Sequence, residues 1–477
     1  MYRPSPDLVE LIEKLLPGEK EAFFESLDKQ LPHTIRFNSL KGDPEHLAAF
    51  LRQQGFGFEL FPGFDDIYRL TYQPYPIGKS LSHFLGHFYV QDVASMIPPR
   101  VLNPQPGETV LDMSAAPGSK TTQMAVMMQN QGAILANDIV QKRLKALINN
   151  LQRMGIVNTA VVKNYGESFG NRYFQVFDKI LLDPACSGLG TLHKSPEVLS
   201  WWTPAHCVRL ARSQKQLIKS AVKALKPGGV LVYSTCTLTP EENEEIIDFA
   251  LREFPVELEP IDLPELKVRP GLTAFENKVF DQRLSKALRL YPFENQTEGF
   301  FIAKLRKTGA AQQTASRKET KPLTLGFISD KTSPVKKYLD YLAQHFGIQR
   351  EVFSRYRYFI DKRITVVSTE LAAFPFKSRS MKTGLTMGRP LTQAAKLTTE
   401  GTHLFGEFAT SNVLEISDPG LLQKFVNREE VELTIGGNGQ VMVIWEGIPI
   451  GYGLADDGRL KSQFPKAGWP FQLPPQD

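Results

Sequence analysis

Two of the three cysteines in this chain close apolar, strand-like runs: Cys186 in Leu181-Leu-Asp-Pro-Ala-Cys-Ser-Gly188, and Cys236 in Leu231-Val-Tyr-Ser-Thr-Cys-Thr237. In an open parallel sheet the loops at the carboxyl ends of neighbouring strands converge on one crevice, so thiols distant in sequence can face one substrate. A thiolate is the strongest nucleophile among the side chains. Two of them at one crevice suit chemistry on a pyrimidine ring. The third, Cys207 in Ala205-His-Cys-Val-Arg-Leu, sits in an amphipathic helical pattern and reads as core.

The elements that must position these thiols follow from periodicity. From Thr109 to about Arg306 strand signals (110–113, 134–137, 160–162, 180–183 and 230–234) alternate with helical stretches such as 142–154 and 211–225. This alternation predicts a parallel sheet with helices on both faces. Lys226-Pro-Gly-Gly marks the end of a helix before the fifth strand. Upstream, Leu8, Leu11, Ile12, Leu15 and Leu16 recur at helical spacing and Thr34-Ile-Arg-Phe-Asn-Ser-Leu40 reads as a strand, which makes residues 1–100 a small α+β unit. The stretch 308–323 has almost no large apolar side chain and reads as a linker. Beyond it, 338–342 reads as a helix, and strands at 431–435 and 441–445 flank Gly436-Gly-Asn-Gly439, which favours a hairpin. The expected division is 1–100, 101–307, the linker 308–323, then 324–395 and 396–477.

Bulk properties exclude several classes. A 477-residue chain with 42% hydrophobic and 22% charged residues should fold throughout, into more than one domain. Its net charge of +5 leaves attraction to a polyanion to local patches. Three cysteines without a Cys-x-x-Cys pair argue against a disulfide scaffold or a structural zinc site and fit a reducing compartment. The residues after Met1 carry no apolar signal-peptide core, and no run approaches a membrane span. A cytoplasmic, monomeric protein without a membrane association is expected. His83 and His87 are spaced to share a helix face, but no third ligand accompanies them and no metal is expected.

Between the first two strands lies Ser114-Ala-Ala-Pro-Gly-Ser-Lys-Thr121, followed by a helical stretch at 122–128. A strand, a small-residue turn and a helix start bring backbone close to a ligand and aim free N–H groups at it. The turn is neither Gly-x-Gly-x-x-Gly nor a phosphate loop. Asp138 closes the next strand twenty positions after Gly118, where an acid can hold a ribose diol.

Taken together, Ala115-Ala-Pro-Gly-Ser-Lys-Thr121, Asp183-Pro-Ala-Cys-Ser-Gly188 and Ser234-Thr-Cys-Thr237 resemble the motifs of the Nol/Nop/Sun RNA cytosine-5 methyltransferases. Val90-Gln-Asp-Val-Ala-Ser95 and Glu298-Gly-Phe-Phe-Ile-Ala303 also look like family sequence. The ending Leu460-Lys-Ser-Gln-Phe-Pro-Lys466 resembles the PUA-related tail of the bacterial ribosomal small-subunit methyltransferase F branch. The resemblance implies a Rossmann-like α/β sheet binding S-adenosylmethionine, an N-terminal α+β RNA-binding unit and a C-terminal PUA-like α+β region. It departs from the family at Asp183-Pro-Ala-Cys186, where Asp-Ala-Pro-Cys is usual, and at Asn164-Tyr165-Gly166, where many relatives carry an aspartate near the adenine. Asn164 either replaces that acceptor or is a turn residue.

By that resemblance Cys236 is the nucleophile for cytosine C6, and Cys186 assists product release. Asp183 would sit at the cytosine edge, protonated or sharing a proton there, and also border the cofactor. Ala115, Ala116, Pro117, Gly118, Ser119, Lys120, Thr121, Asp138 and Asn164 would line the S-adenosylmethionine site. Lys120 and Arg36 would contact RNA, with Lys41 and Lys79 adding phosphate contacts. Because the base must leave its stack, looped RNA is the expected substrate, most naturally 16S rRNA of the small ribosomal subunit. Trp201-Trp202 either stack on a base or pack. The rivals are a tRNA cytosine-5 enzyme, an amino-methyltransferase, a DNA cytosine-5 enzyme and a non-catalytic rRNA assembly factor. Asp183-Pro-Ala-Cys lacks the aromatic an amino-methyltransferase would use, the Thr235-Cys236 pair points away from DNA enzymes, and a pure binder has no need of two thiols.

Overall fold

The computed structural model describes residues 4–310, 321–323, 325–392, 394–432 and 438–466 of the 477. The first apolar periodicity becomes the helix Pro6–Leu15, capped by the Ser5 hydroxyl and burying Leu8, Ile12 and Leu15. Strand β1 (Thr34–Phe37) stops where the Asn38 side chain accepts from Leu40 N–H and starts a short turn. With β2 (Gly57–Leu60), β3 (Ile67–Tyr72) and β4 (Phe88–Val90) it forms an antiparallel sheet of order β2-β3-β1-β4.

The alternating middle of the chain forms β5 (Thr109–Asp112), β6 (Ala133–Asn137), β7 (Thr159–Val162), β8 (Phe177–Leu182) and β9 (Leu225–Thr235), all parallel in the order β7-β6-β5-β8-β9. Helices cover both faces, so these strands carry near-continuous apolar runs rather than alternation. One core contains Leu111, Leu135, Ile180 and Tyr233 and the other Val110, Ile134, Leu181 and Val232, so successive residues of one strand point to opposite faces. The chain leaves β5 in one direction through β6 and β7, then returns to build β8 and β9 on its other side. That reversal opens a crevice at the carboxyl ends of β5 and β8.

Antiparallel strands that periodicity did not announce extend this sheet. Phe300–Lys307 pairs with β9, Leu288–Leu290 lies beyond it, and Ser380–Thr383 pairs with β7. The helix Pro204–Ala224 runs directly into β9, and Lys226-Pro-Gly-Gly lies within that strand, where Gly228 takes φ +79° and the register against β8 shifts.

Of the C-terminal region, the expected helix is Val335–Phe346, next to a four-stranded antiparallel sheet formed by Tyr356–Ile360, Ile364–Ser368, Leu385–Pro390 and Ala395–Leu397. The expected hairpin is corrected. Glu430–Glu432 pairs with Arg459–Ser462 at the sheet edge, whereas Gly439–Trp445 pairs with Ile448–Asp456 through a turn in which Glu446 and Gly447 both have positive φ. Alternation identified the strands, but the intervening sheet separates them. Gly436 and Gly437, like most of the expected linker, lie outside the described residues. The last sheet shares a core with the first, joining Ile35, Phe37 and Leu47 to Ile416, Trp445 and Phe464. Among the described residues no helix is long and apolar enough to cross a membrane.

Candidate active site

The loops after β8 and β9 bring Cys186 and Cys236, fifty residues apart, to an Sγ–Sγ separation of 3.2 Å. Both are half-buried and neither is in a disulfide. The Cys186 thiol is pushed well above its ordinary pKa, first by its hydrogen bond with Cys236 and then by burial, so it keeps its proton. The loops are locked by Glu242, a fully buried carboxylate that accepts from Ser187 N–H at 3.0 Å, Gln214 Nε2 at 3.0 Å and Thr239 Oγ1 at 2.8 Å. Ser187 and Thr237 hydroxyls bond across the same gap at 2.7 Å.

Beside the thiols, Asp183 Oδ2 accepts from Lys120 Nζ at 2.8 Å and Asp183 Oδ1 from Ser234 Oγ at 2.9 Å. Lys120 also donates to Ser95 Oγ at 3.1 Å. Burial opposes the lysine's charge, but Asp183 outweighs it and the ammonium is raised above its ordinary range. Both Asp183 oxygens are therefore engaged, one by an ammonium and the other by a hydroxyl. Lys120 is correspondingly turned toward Asp183.

The turn between β5 and the helix Ser119–Met127 is held from outside. Ala115 N–H donates to Asn137 O at 2.7 Å, Ala116 O accepts from Arg143, Pro117 O from Asn150 Nδ2 at 2.9 Å, and Ser119 O from Arg36 Nη2 at 2.8 Å. Gly118 has φ +108°, and a Cβ there would stand 2.9 Å from Leu147 Cδ1. Only glycine allows this turn and the close approach of the helix Gln141–Arg153. Thr121 donates to Asp112 Oδ2 at 2.7 Å.

Asp138 is buried at the end of β6. Its Oδ1 accepts from Val140 N–H at 2.8 Å, while Oδ2 lies 3.2 Å from Arg143 Nη1 without a hydrogen bond among the described residues. A buried carboxylate oxygen left without a donor is costly, and a ligand hydroxyl would satisfy it. The turn and Asp138 therefore fit the ribose and amino-acid ends of an adenosyl methyl donor. Asn164 is placed beyond β7, where its Oδ1 accepts from Arg172 Nη1 at 3.0 Å and its Nδ2 donates to Ser378 Oγ at 3.2 Å.

Arg36 is where the structure departs most from the sequence expectation. It is buried in β1, donating to Gln91 Oε1 at 3.0 Å, Ser119 O and Thr122 Oγ1 at 2.7 Å. It braces the start of the ligand-side helix instead of offering its guanidinium to a phosphate. Burial lowers its pKa to about 9. Lys41 is likewise drawn inward, lowered to about 8 by burial, while Lys79 is exposed. His83 and His87 do not share a helix, because Leu81–Leu85 ends at the left-handed Gly86; burial lowers each to about 3. Trp202 is buried and Trp201 exposed, and Cys207 is core. Among the described residues no cluster of three potential ligands could hold a metal ion.

Sequence reasoning missed the shell around these groups. Asp112, raised to about 7 chiefly by burial, ended the first strand without any distinguishing neighbour. Asp92 and Glu298 lay in motifs whose partners only folding reveals. Asp92 accepts from Ala94 N–H at 2.9 Å, Thr297 Oγ1 at 2.6 Å and Glu298 N–H at 3.3 Å.

Comparison with known proteins gives three family matches along the chain. Residues 99–306 match the family model of the 16S rRNA methyltransferase RsmB/F. Residues 5–93 match the N-terminal domain of 16S rRNA methyltransferase RsmF, and residues 411–468 the methyltransferase RsmF PUA domain. The ribosomal RNA small subunit methyltransferase F of Shewanella oneidensis is 30% identical over 98% of this chain and 97% of its own length. A tRNA (cytosine(49)-C(5))-methyltransferase of Pyrococcus abyssi is 42% identical over 63% of this chain and 95% of its own. A methyltransferase homologue from Pyrococcus horikoshii superposes with a TM-score of 0.56 at 36% identity, covering 64% of this chain and 99% of that one.

Proposed function

Since the chain belongs to the RsmF branch of the Nol/Nop/Sun RNA methyltransferase family, we propose that it methylates cytosine C5 in 16S rRNA of the small ribosomal subunit. The observation that carries the chemistry is the 3.2 Å thiol pair beside the Lys120–Asp183 ion pair. C5 of cytosine is a weak nucleophile, and addition of sulfur at C6 converts the ring into an enamine that can attack an electrophile.

Cys236 forms the bond to C6, its sulfur resting 3.2 Å from that of Cys186 beforehand. The Lys120 ammonium, held in place by Asp183, stabilises the negative charge that develops on the ring edge. Ala115 to Thr121 and Asp138 would hold S-adenosylmethionine, which would supply the methyl group. Asn164 serves as a turn residue at the adenine end, its side chain being engaged by Arg172 and Ser378. Cys186 then assists loss of the C5 proton and release of Cys236. Unstacking is least costly in a loop, which favours exposed rRNA segments.

Purified protein with S-adenosylmethionine and 16S rRNA should yield 5-methylcytosine, read by bisulfite sequencing. Cys236→Ser should abolish it, while Cys186→Ala should leave RNA covalently attached on a denaturing gel. Normal turnover by Cys236→Ser would refute the assignment, and methylation of tRNA alone would move the substrate to the tRNA reading.

A further inference from the structure

At the carboxyl ends of the parallel strands one asparagine ties the turns after β5 and β7 together. Asn137 Oδ1 accepts from Asn164 N–H at 2.9 Å, its Nδ2 donates to Met113 O at 3.1 Å, and its carbonyl accepts from Ala115 N–H at 2.7 Å. The turn Asn164-Tyr165-Gly166 is thereby set beside the ligand turn and next to Asp138. Ile139, Val140 and Tyr165 stand exposed at the same strand ends, an apolar setting for a flat ring. This is the adenine end of the proposed methyl-donor site.

The Asn164 side chain is held from two sides. Its Oδ1 accepts from Arg172 Nη1 at 3.0 Å, inside the methyltransferase unit, whereas its Nδ2 donates to Ser378 Oγ at 3.2 Å, 214 residues along the chain. Ser380–Thr383 pairs antiparallel with β7 and sets Ser380 opposite Val162, so the residues before Ser380 run past the carboxyl end of β7 to Asn164. Ser378 is buried, and its hydroxyl lies 3.1 Å from Tyr173 OH, whose oxygen accepts from Lys377 N–H at 2.9 Å. Tyr173 belongs to the core that also takes in Phe374 and Phe376, so burial of this segment fixes the serine before any ligand arrives. Gln152 holds the far end of the segment, donating to Gly384 O at 2.9 Å and accepting from Thr386 N–H at 3.1 Å. Most side-chain hydrogen bonds go to backbone or water, yet this hydroxyl meets two side chains of the methyltransferase unit.

We propose that Ser378 is a positioning residue for the methyl donor: from the C-terminal region it holds the Asn164 turn in the shape that receives the adenosyl group. It touches no reacting atom and acts through Asn164. The inference rests on the proposed S-adenosylmethionine site, and adds to it a residue from beyond the stretch 99–306 that matches the methyltransferase family model. Removing the hydroxyl leaves Asn164 Nδ2 without that acceptor, and the amide, held then by Arg172 alone, can rotate away.

The test is Ser378→Ala in the full chain, titrated with S-adenosylmethionine by calorimetry without RNA. Loss of one ordering hydrogen bond should weaken donor affinity about tenfold, and by no less than about threefold; a smaller change overturns the proposal. In turnover, KM for S-adenosylmethionine should rise in parallel while kcat at saturating donor and KM for rRNA stay within about twofold, a split that general loosening of the fold does not produce. Adding Ser378→Ala to Asn164→Ala should cost less than about twofold further, because the serine acts through that amide; a second full loss overturns the proposal. Should Ser378→Ala fail to fold by circular dichroism, Asn164→Ala alone must weaken the donor by at least about threefold, and a smaller change refutes the role. Wild-type protein that binds no S-adenosylmethionine would instead refute the methyl-donor site on which the inference rests.

Discussion

Breaking the ion pair behind the nucleophile loop should cost more than removing it whole. Arg289 and Glu244 are 1% and 0% exposed and lie 2.5 Å apart. The guanidinium also donates to Leu238 O at 2.9 Å, two residues after Cys236, and Glu244 accepts from Leu272 N–H at 3.0 Å. Arg289→Met leaves a carboxylate in the interior with one backbone donor. Loss of one partner of a buried pair costs about 3–5 kcal/mol. At roughly 2–4 °C per kcal/mol for a domain of this size, the melting midpoint should drop about 6–20 °C. Arg289→Met combined with Glu244→Leu removes both charges and forfeits only two hydrogen bonds to backbone, about 1 kcal/mol each. The double variant should therefore return to within about 2 kcal/mol of wild type. Urea and thermal unfolding at pH 7 would read both. A single variant losing under about 1 kcal/mol, or a double variant as unstable as the single one, would refute the reasoning.

Asp138→Asn should weaken S-adenosylmethionine about 10- to 100-fold in calorimetry, the value of hydrogen bonds to a charged acceptor, with little change in melting temperature. Unchanged affinity would remove Asp138 from the site. Arg36→Met separates a buried brace from a phosphate contact: stability should fall, while the slope of rRNA affinity against salt stays the same. A slope reduced by about one unit would restore the RNA-contact role.

The parallel core was legible because strands β5 to β8 are covered on both faces, which writes itself into apolar runs with turns between them. The thiols and the ligand turn were legible as well, because chemistry demands particular side chains at strand ends. The antiparallel strands Phe300–Lys307 and Ser380–Thr383 were not, since pairing partners more than fifty residues away leave no periodic trace. The hairpin expected around Gly436 failed for a related reason: turn chemistry records a reversal of the chain, not which strand it then meets.

Arg36 shows the same boundary at a single side chain. Its type and its place in a strand suggested a cation for RNA, and only the packing of the N-terminal sheet against the helix Ser119–Met127 turned it inward to three acceptors. The amino-acid order by itself determined which groups can react and the local elements that carry them, because side-chain chemistry and hydrophobic period are local properties. Tertiary structure alone decided which groups touch. Partner and burial at Asp183, Lys120 and Arg36 depend on neighbours from distant segments, and those distances exist only once the chain has closed.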